Sequence, residues 1–267
     1  MLEQINLDLS LSKAEYKRRM PELESRLFDL EHAMFEAKIP SMIVFEGWAA
    51  AGKGSTIGVI AQRLDPRGFR VVPVMPPRTY EMGYPWLWRF WQMIPAAGQM
   101  VVYDTSWYRR VLVDHLKHSV TNREWQAAYQ DIVEFEQQLA ADGTVIIKFW
   151  LHISRKEQAR RFKTLLKHKL TAWQVSDEDA AEHKSFSKVL AAVEEMLART
   201  DAAHAPWVIV EATDRHYTRI KVMETIIRAF EARLDTGKPR LLPPTAPEIK
   251  PKAAPAAKAA AKEVRHA

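Results

Sequence analysis

One stretch constrains this chain more than any other: Ser41-Met42-Ile43-Val44-Phe45-Glu46-Gly47-Trp48-Ala49-Ala50-Ala51-Gly52-Lys53-Gly54-Ser55-Thr56-Ile57. An apolar run of strand length, residues 42–45, breaks into a glycine-bounded loop and then opens into a helical pattern. Gly47, Gly52 and Lys53 stand at G-x-x-x-x-G-K spacing. Between a strand and a helix, that spacing makes a phosphate-binding loop, in which backbone N–H groups and a helix N-terminus cradle the anion. The glycines allow close backbone approach, and Lys53 brings a mobile point charge. The candidate phosphate contacts of the loop are Gly47, Ala50, Ala51, Gly52, Gly54, Ser55 and Thr56. The residue after the lysine is Gly54, where most such loops place a hydroxyl on magnesium; Ser55 and Thr56 come one and two places later. The plainer alternative is a glycine-rich turn that binds nothing.

The rest of the chain supplies partners for the loop. Residues 11–38 carry Leu23, Leu27, Leu30, Met34 and Phe35 at helical spacing, one or two helices with Pro21 as an interruption or a start. After a turn at 65–68, residues 69–74 form a short apolar strand, and 84–91 an aromatic-rich helix. Met100-Val101-Val102-Tyr103-Asp104 runs apolar into one acid, the form of a strand whose terminal aspartate faces the loop and holds magnesium; capping the next helix is the alternative. Ser106-Trp107-Tyr108-Arg109-Arg110 then sets two guanidinium groups beside that acid. A helix is expected over Asn122 to Ala141 and a buried strand over 144–151. Within 154–169 fall Arg155, Lys156, Arg160, Arg161, Lys163, Lys167 and Lys169 against Glu157 alone. That run is either a solvated helix face or a lid that brings cations onto a transferring phosphate. Helical pattern over 176–199, a last strand over 206–210 and a closing helix over 217–234 complete an α/β chain of five strands, expected as a parallel sheet covered on both faces.

Charge matters only once it is located. The net charge is +6, but residues 238–267 hold seven Lys/Arg against two Asp/Glu, which leaves the first 237 near +1. A global basic field for nucleic acid is therefore not expected. The Pro/Ala/Lys composition of 238–267 cannot bury a core and reads as a disordered tail. The sequence has no cysteine, no apolar leader at residues 1–4 and no run of membrane-spanning length, so a cytoplasmic protein without membrane association is expected.

The ordered blocks from about residue 40 to 234 resemble the polyphosphate kinase 2 family. They are Phe45-Glu46-Gly47-Trp48, Ala50-Ala51-Gly52-Lys53-Gly54, Leu87-Trp88-Arg89-Phe90-Trp91, Asp104 with Ser106-Trp107-Tyr108, and residues 148–154 with Glu157, Gln158, Arg161 and Phe162, then Ala205-Pro206-Trp207. The resemblance implies a P-loop kinase-like (thymidylate-kinase-like) three-layer sandwich with a central five-stranded parallel sheet and a helical lid at about 154–188. The domain would span 40–237, with a helical extension at 1–39. It implies phosphoryl transfer between inorganic polyphosphate and nucleoside mono- or diphosphates with Mg²⁺ (or Mn²⁺), in homodimers or homotetramers. Lys53 would hold the phosphoryl group in flight, and Asp104 the metal. Arg110, Arg160 and Arg161, with Lys163 and Lys167, would neutralise the phosphates.

The chain also departs from that pattern. Ala49 stands where the family usually has an aspartate that helps hold the metal, and Thr105 where an arginine usually follows the strand acid. In the lid, Leu165, Lys169-Leu170-Thr171, Gln174 and residues 183–188 differ as well. Two readings follow: an active polyphosphate:nucleotide phosphotransferase of a divergent branch, or a catalytically impaired relative that binds polyphosphate or nucleotide or serves as a regulatory subunit. An ordinary ATP-dependent small-molecule kinase is a third.

Overall fold

A computed structural model describes residues 2–234. The expectation for 238–267 lies outside them. Five parallel strands, β1 (Ser41–Gly47), β2 (Phe69–Pro73), β3 (Met100–Asp104), β4 (Val145–His152) and β5 (Trp207–Glu211), pair in the order β2-β3-β1-β4-β5. The central position of β1 follows from its sequence: residues 41–46 are all buried, an uninterrupted apolar run except for Ser41 and Glu46. From β1 the chain crosses to β2 on one side, and from β3 it crosses to β4 on the other. The switch lies between β1 and β3, whose C-terminal ends are where ligands bind in such sheets. The register Phe45↔Asp104 and Gly47↔Leu151 places the phosphate-loop glycine and the strand acid at that one edge.

The helices cover the sheet as amphipathic sequence requires. α1 (Lys13–Glu36) is one helix, capped by the Ser12 side chain, with Pro21 inside it. It lays Met20, Leu23, Leu27, Leu30 and Met34 inward and meets the closing helix α10 (Arg215–Leu234) through Arg19–Glu224 and Arg26–Glu231 pairs. α2 (Lys53–Ala61) follows the loop directly. Residues 84–91 form less helix than expected: only Trp88–Trp91 (α3) is α-helical, after a turn in which the Trp88 N–H donates to the Pro85 carbonyl (2.8 Å). A short α4 (Val113–Leu116) precedes α5 (Asn122–Ala141), which begins in a Thr121/Glu124 capping box.

The segment expected as a lid forms three helices, α6 (Arg155–Leu166), α7 (Lys169–Ala172) and α8 (Asp177–Lys184). The helical pattern of 176–199 breaks at Ser185, and α9 (Phe186–Thr200) beyond it returns to the core through Val189, Val193, Met196 and Leu197.

Where α5, β4 and α9 meet, a charged pair is enclosed. The Lys148 ammonium donates to Glu136 (2.8 Å), to the Tyr108 hydroxyl (2.8 Å) and to the Thr200 carbonyl (2.9 Å). Glu136 also accepts from the Trp107 indole (3.0 Å) and from Tyr108 (2.8 Å). Both charged side chains are fully buried. Such a pair adds little net stability over an apolar replacement, but removing one member strands the other's charge. Glu136→Ala is expected to lower unfolding stability in urea by about 3–5 kcal/mol. Retained stability in that variant would show that Lys148 finds another partner.

Candidate functional site

The phosphate loop is shaped from several sides. A Cβ at Gly47 would lie 2.5 Å from the Leu151 carbonyl oxygen, so only glycine fits at the point where β1 leaves the sheet beside β4. Gly52 and Ala50 take left-handed backbone (φ +104° and +60°), which curls the loop back onto the first turn of α2. Trp48 points the other way, into the core. Its indole donates to His152 Nδ1 (3.0 Å) and stacks on Phe186 at 4.0 Å. Burial holds the His152 imidazole near pKa 4, hence neutral and able to accept.

The loop's carbonyls are held by α6. All five N–H donors of Arg161 are engaged. They bond Glu157 (2.7 Å), the Ala50 and Ala51 carbonyls (2.8 and 2.9 Å), and the Ala212 and Thr213 carbonyls (2.6 and 3.0 Å). Gln158 donates to the Ala49 carbonyl (3.3 Å). Glu182, from α8, accepts from the Ala49 N–H (3.4 Å) and from Gln158 (3.3 Å), and it lies within the field of Lys53. Burial raises its carboxyl above the usual range.

The residues expected to contact phosphate are therefore distributed unevenly. Lys53 opens α2 and donates to the Gly47 and Trp48 carbonyls (2.8 and 3.2 Å). Gly54 and Ser55 are exposed at the mouth, whereas Thr56 is buried; both hydroxyls donate to the Gly52 carbonyl (3.0 and 2.9 Å). Asp104 faces the same turn, since a Cβ at Gly54 would stand 4.0 Å from Asp104 Oδ2. Arg161 has no N–H left for a phosphate oxygen here, so it acts as a brace whose charge stays beside the loop. Arg160 extends from α6 into solvent, paired with Glu157 (2.6 Å), and Lys163 and Lys167 are exposed beyond it. Arg110 lies on the other flank, 5.7 Å from the Trp86 ring centroid and 3.4 Å from Glu124.

Two groups at the site were missed as functional candidates in the sequence. Glu46 is buried within the fields of Lys53 and Asp104 and accepts from the Ser106 hydroxyl at 2.8 Å; its signal was an acid inside an apolar strand. Glu182 had no local signal, because its contact with Ala49 spans 133 residues. Beside the C-terminal ends of β2 and β3 opens a cleft of about 870 Å³, lined by Trp86, Arg89, Arg109, Arg110 and Lys117 among others.

A divalent cation fits this donor set in one way. Among the described residues no three His, Cys, Asp or Glu side chains cluster as metal ligands. Asp104 is the carboxylate at the loop mouth, and Mg²⁺ typically takes one or two carboxylates plus phosphate and water oxygens. The oxygen-only, ligand-poor surroundings suit that ion.

Comparison with known proteins decides the family. The family profile for "Polyphosphate kinase 2" matches residues 10–238. The chain belongs to the polyphosphate kinase 2 family. It is 37% identical over 231 residues to a polyphosphate:AMP phosphotransferase of Pseudomonas syringae pv. tomato, covering 86% of this chain and 46% of that protein. It is 30% identical to the NDP-polyphosphate phosphotransferase 3 of Ruegeria pomeroyi, covering 84% of this chain and 74% of that one. A crystal structure of a putative polyphosphate kinase 2 from Pseudomonas aeruginosa superposes with a TM-score of 0.85 at 37% identity, over 89% of this chain and 51% of that one. The chain thus spans about half the length of the polyphosphate:AMP phosphotransferase it matches.

Within this polyphosphate kinase 2 domain, the buried Glu46 gives the site a measurable signature. Burial is the main cause that pushes its carboxyl up to about 7, opposed by the Ser106 hydrogen bond and by Lys53. The folded protein therefore holds a proton that the unfolded chain releases near pH 4.5. Stability from this group is present below pH 4.5 and is lost as pH rises through about 7. At ~1.4 kcal/mol per pH unit, wild type is expected to lose roughly 3 kcal/mol relative to Glu46→Gln across that window. Urea titrations of both proteins from pH 4 to 8 would check it; parallel curves would mean that Glu46 is not held protonated.

Proposed function

We propose that this chain transfers phosphoryl groups between inorganic polyphosphate and nucleoside mono- or diphosphates, with Mg²⁺ (or Mn²⁺) as the cation. The observation that carries the proposal is the convergence of Lys53, the loop N–H groups and Asp104 at one edge of the sheet. The relatives' names, polyphosphate:AMP phosphotransferase and NDP-polyphosphate phosphotransferase, support the same substrate pair.

Both substrates are polyanions, so positioning and charge neutralisation carry the rate. In this reading the loop N–H groups hold the transferring phosphoryl, and Lys53 leaves the Gly47 and Trp48 carbonyls to follow it. Arg161 fixes the loop from outside, while Arg160, Lys163 and Lys167 draw the polyphosphate chain along α6. Asp104, with Ser55 at the mouth, would hold the cation, which when bound neutralises charge on the bridging phosphates. The acceptor enters from the flank of Arg110, by the cleft. A phosphate nucleophile is already ionised at neutral pH, so no side chain need remove a proton.

Among the described residues no helix is long and apolar enough to cross a membrane. The lack of cysteine supports a reducing cytoplasmic setting, and assembly as a homodimer or homotetramer belongs to the same proposal. Ala49, which brings no carboxylate to the loop, favours the second reading, a binding or regulatory relative.

The test is phosphoryl transfer from long-chain polyphosphate to AMP, ADP, GMP and GDP with Mg²⁺ or Mn²⁺. Lys53→Ala is expected to cut product formation by about 10³-fold or more. Product equal in wild type and variant would remove the loop from the chemistry. No product with polyphosphate binding retained would select the regulatory reading.

A further inference from the structure

α8 lies against the phosphate loop without burying a single apolar side chain. Most helices are fixed in place by an apolar face, as α9 is through Val189, Val193, Met196 and Leu197. α8 is held by polar contacts instead, and four of its eight residues are acids: Asp177, Glu178, Asp179 and Glu182. Its socket is Gln158, a fully buried side chain of α6. The Gln158 amide donates to the Ala49 carbonyl and to Glu182 (3.3 Å each), and its carbonyl oxygen lies 2.7 Å from His183 Nδ1. Farther out, Glu178 pairs with Lys117.

The contact with the loop itself is the telling one. Glu182 accepts from the Ala49 N–H (3.4 Å), so a carboxylate stands where the loop offers a donor to an anion. Burial raises the Glu182 carboxyl, and Lys53 is the strongest of the groups that oppose this rise and favour its ionised form. Lys53 meanwhile rests on the Gly47 and Trp48 carbonyls. Two anions at one N–H repel each other, so Glu182 and a phosphate group exclude one another there. Departure costs α8 little. The Ser176/Asp179 capping box closes its N-terminus and Ser185 separates it from α9, so the helix can leave as a unit while α9 keeps the core. The exposed Glu178–Lys117 pair holds it only weakly.

We propose that α8 is a built-in competitor for the phosphate loop: in the resting protein Glu182 holds the place of an anion, and a phosphate chain binds by expelling it. The proposal rests on the reading of residues 47–56 as a phosphate site and adds the chain's own occupant of that site. Undocking α8 lowers the apparent affinity in proportion to the fraction of molecules whose loop is open. The helix thereby sets how much polyanion is needed before the loop fills.

The experiment is calorimetric titration of inorganic tripolyphosphate, with and without Mg²⁺, into the full chain as wild type, Glu182→Gln and Lys53→Ala. Glu182→Gln keeps the side chain's shape and removes its charge. It is expected to bind tripolyphosphate about 10-fold more tightly than wild type, the loss of one charge-assisted contact that the ligand otherwise displaces. Lys53→Ala should bind more weakly than either. Amide hydrogen exchange supplies a second readout: tripolyphosphate should speed exchange over residues 177–184 in wild type, and in Glu182→Gln that segment should exchange fast before ligand is added. Equal affinity in wild type and Glu182→Gln overturns the proposal and leaves the loop as an anion site. Weaker binding by Glu182→Gln, with Mg²⁺ or without, overturns it too, because the carboxylate would then belong to the bound state. Slower exchange of α8 on binding does the same, since the helix would be closing over the anion. No tripolyphosphate binding by wild type or by Glu182→Gln would instead defeat the phosphate-loop reading, and this proposal with it.

Discussion

The site depends on how the phosphate loop's carbonyls are disposed. A loop can present its N–H groups inward only if its carbonyl oxygens find partners elsewhere, because buried backbone acceptors must be paired. Here α6 provides them. Arg161 takes the carbonyls of Ala50 and Ala51 with one nitrogen and those of Ala212 and Thr213 with another, so it couples the loop to the β5–α10 connection. Gln158 takes Ala49. α6 is in this sense part of the loop's foundation and has limited freedom to swing away without loosening the loop. α8 reaches farther, touching the loop through Glu182 and the cleft rim through the Glu178–Lys117 pair.

Below the other side of the site, buried polar groups do comparable work. The turn after Asp104 runs through Ser106, Trp107 and Tyr108, and two buried acids tie the three down. Ser106 bonds Glu46 on β1, while Trp107 and Tyr108 bond Glu136 on α5, which Lys148 on β4 neutralises. The acid expected to meet the cation is followed by a turn anchored to three separate elements. Thr105 pays for that geometry with left-handed backbone (φ +58°), strained for a β-branched residue.

Charge is partitioned between two flanks. The α6 run leaves Arg160, Lys163 and Lys167 at the surface with one acid among them, a screened, non-selective attraction for a polyanion. The cleft mixes signs, buries its arginines and interleaves rings.

The sequence alone determined the five strands, the glycine loop after β1, the acid at the end of β3 and the family, because each rests on a local pattern. Glycines at fixed spacing, apolar runs of strand length and Asp104 at the end of one need no tertiary information to be legible. Helix edges were less so: the 176–199 pattern concealed a break at Ser185, and the aromatic helix began only at Trp88. What only the tertiary structure decided was the role of each charge. Arg160 and Arg161 are neighbours in one basic run, but helix rotation sends one to solvent and the other under the loop. Glu46 and Glu182 became site residues through contacts made across 60 and 133 positions. Such pairings depend on how elements pack, and no local periodicity encodes them.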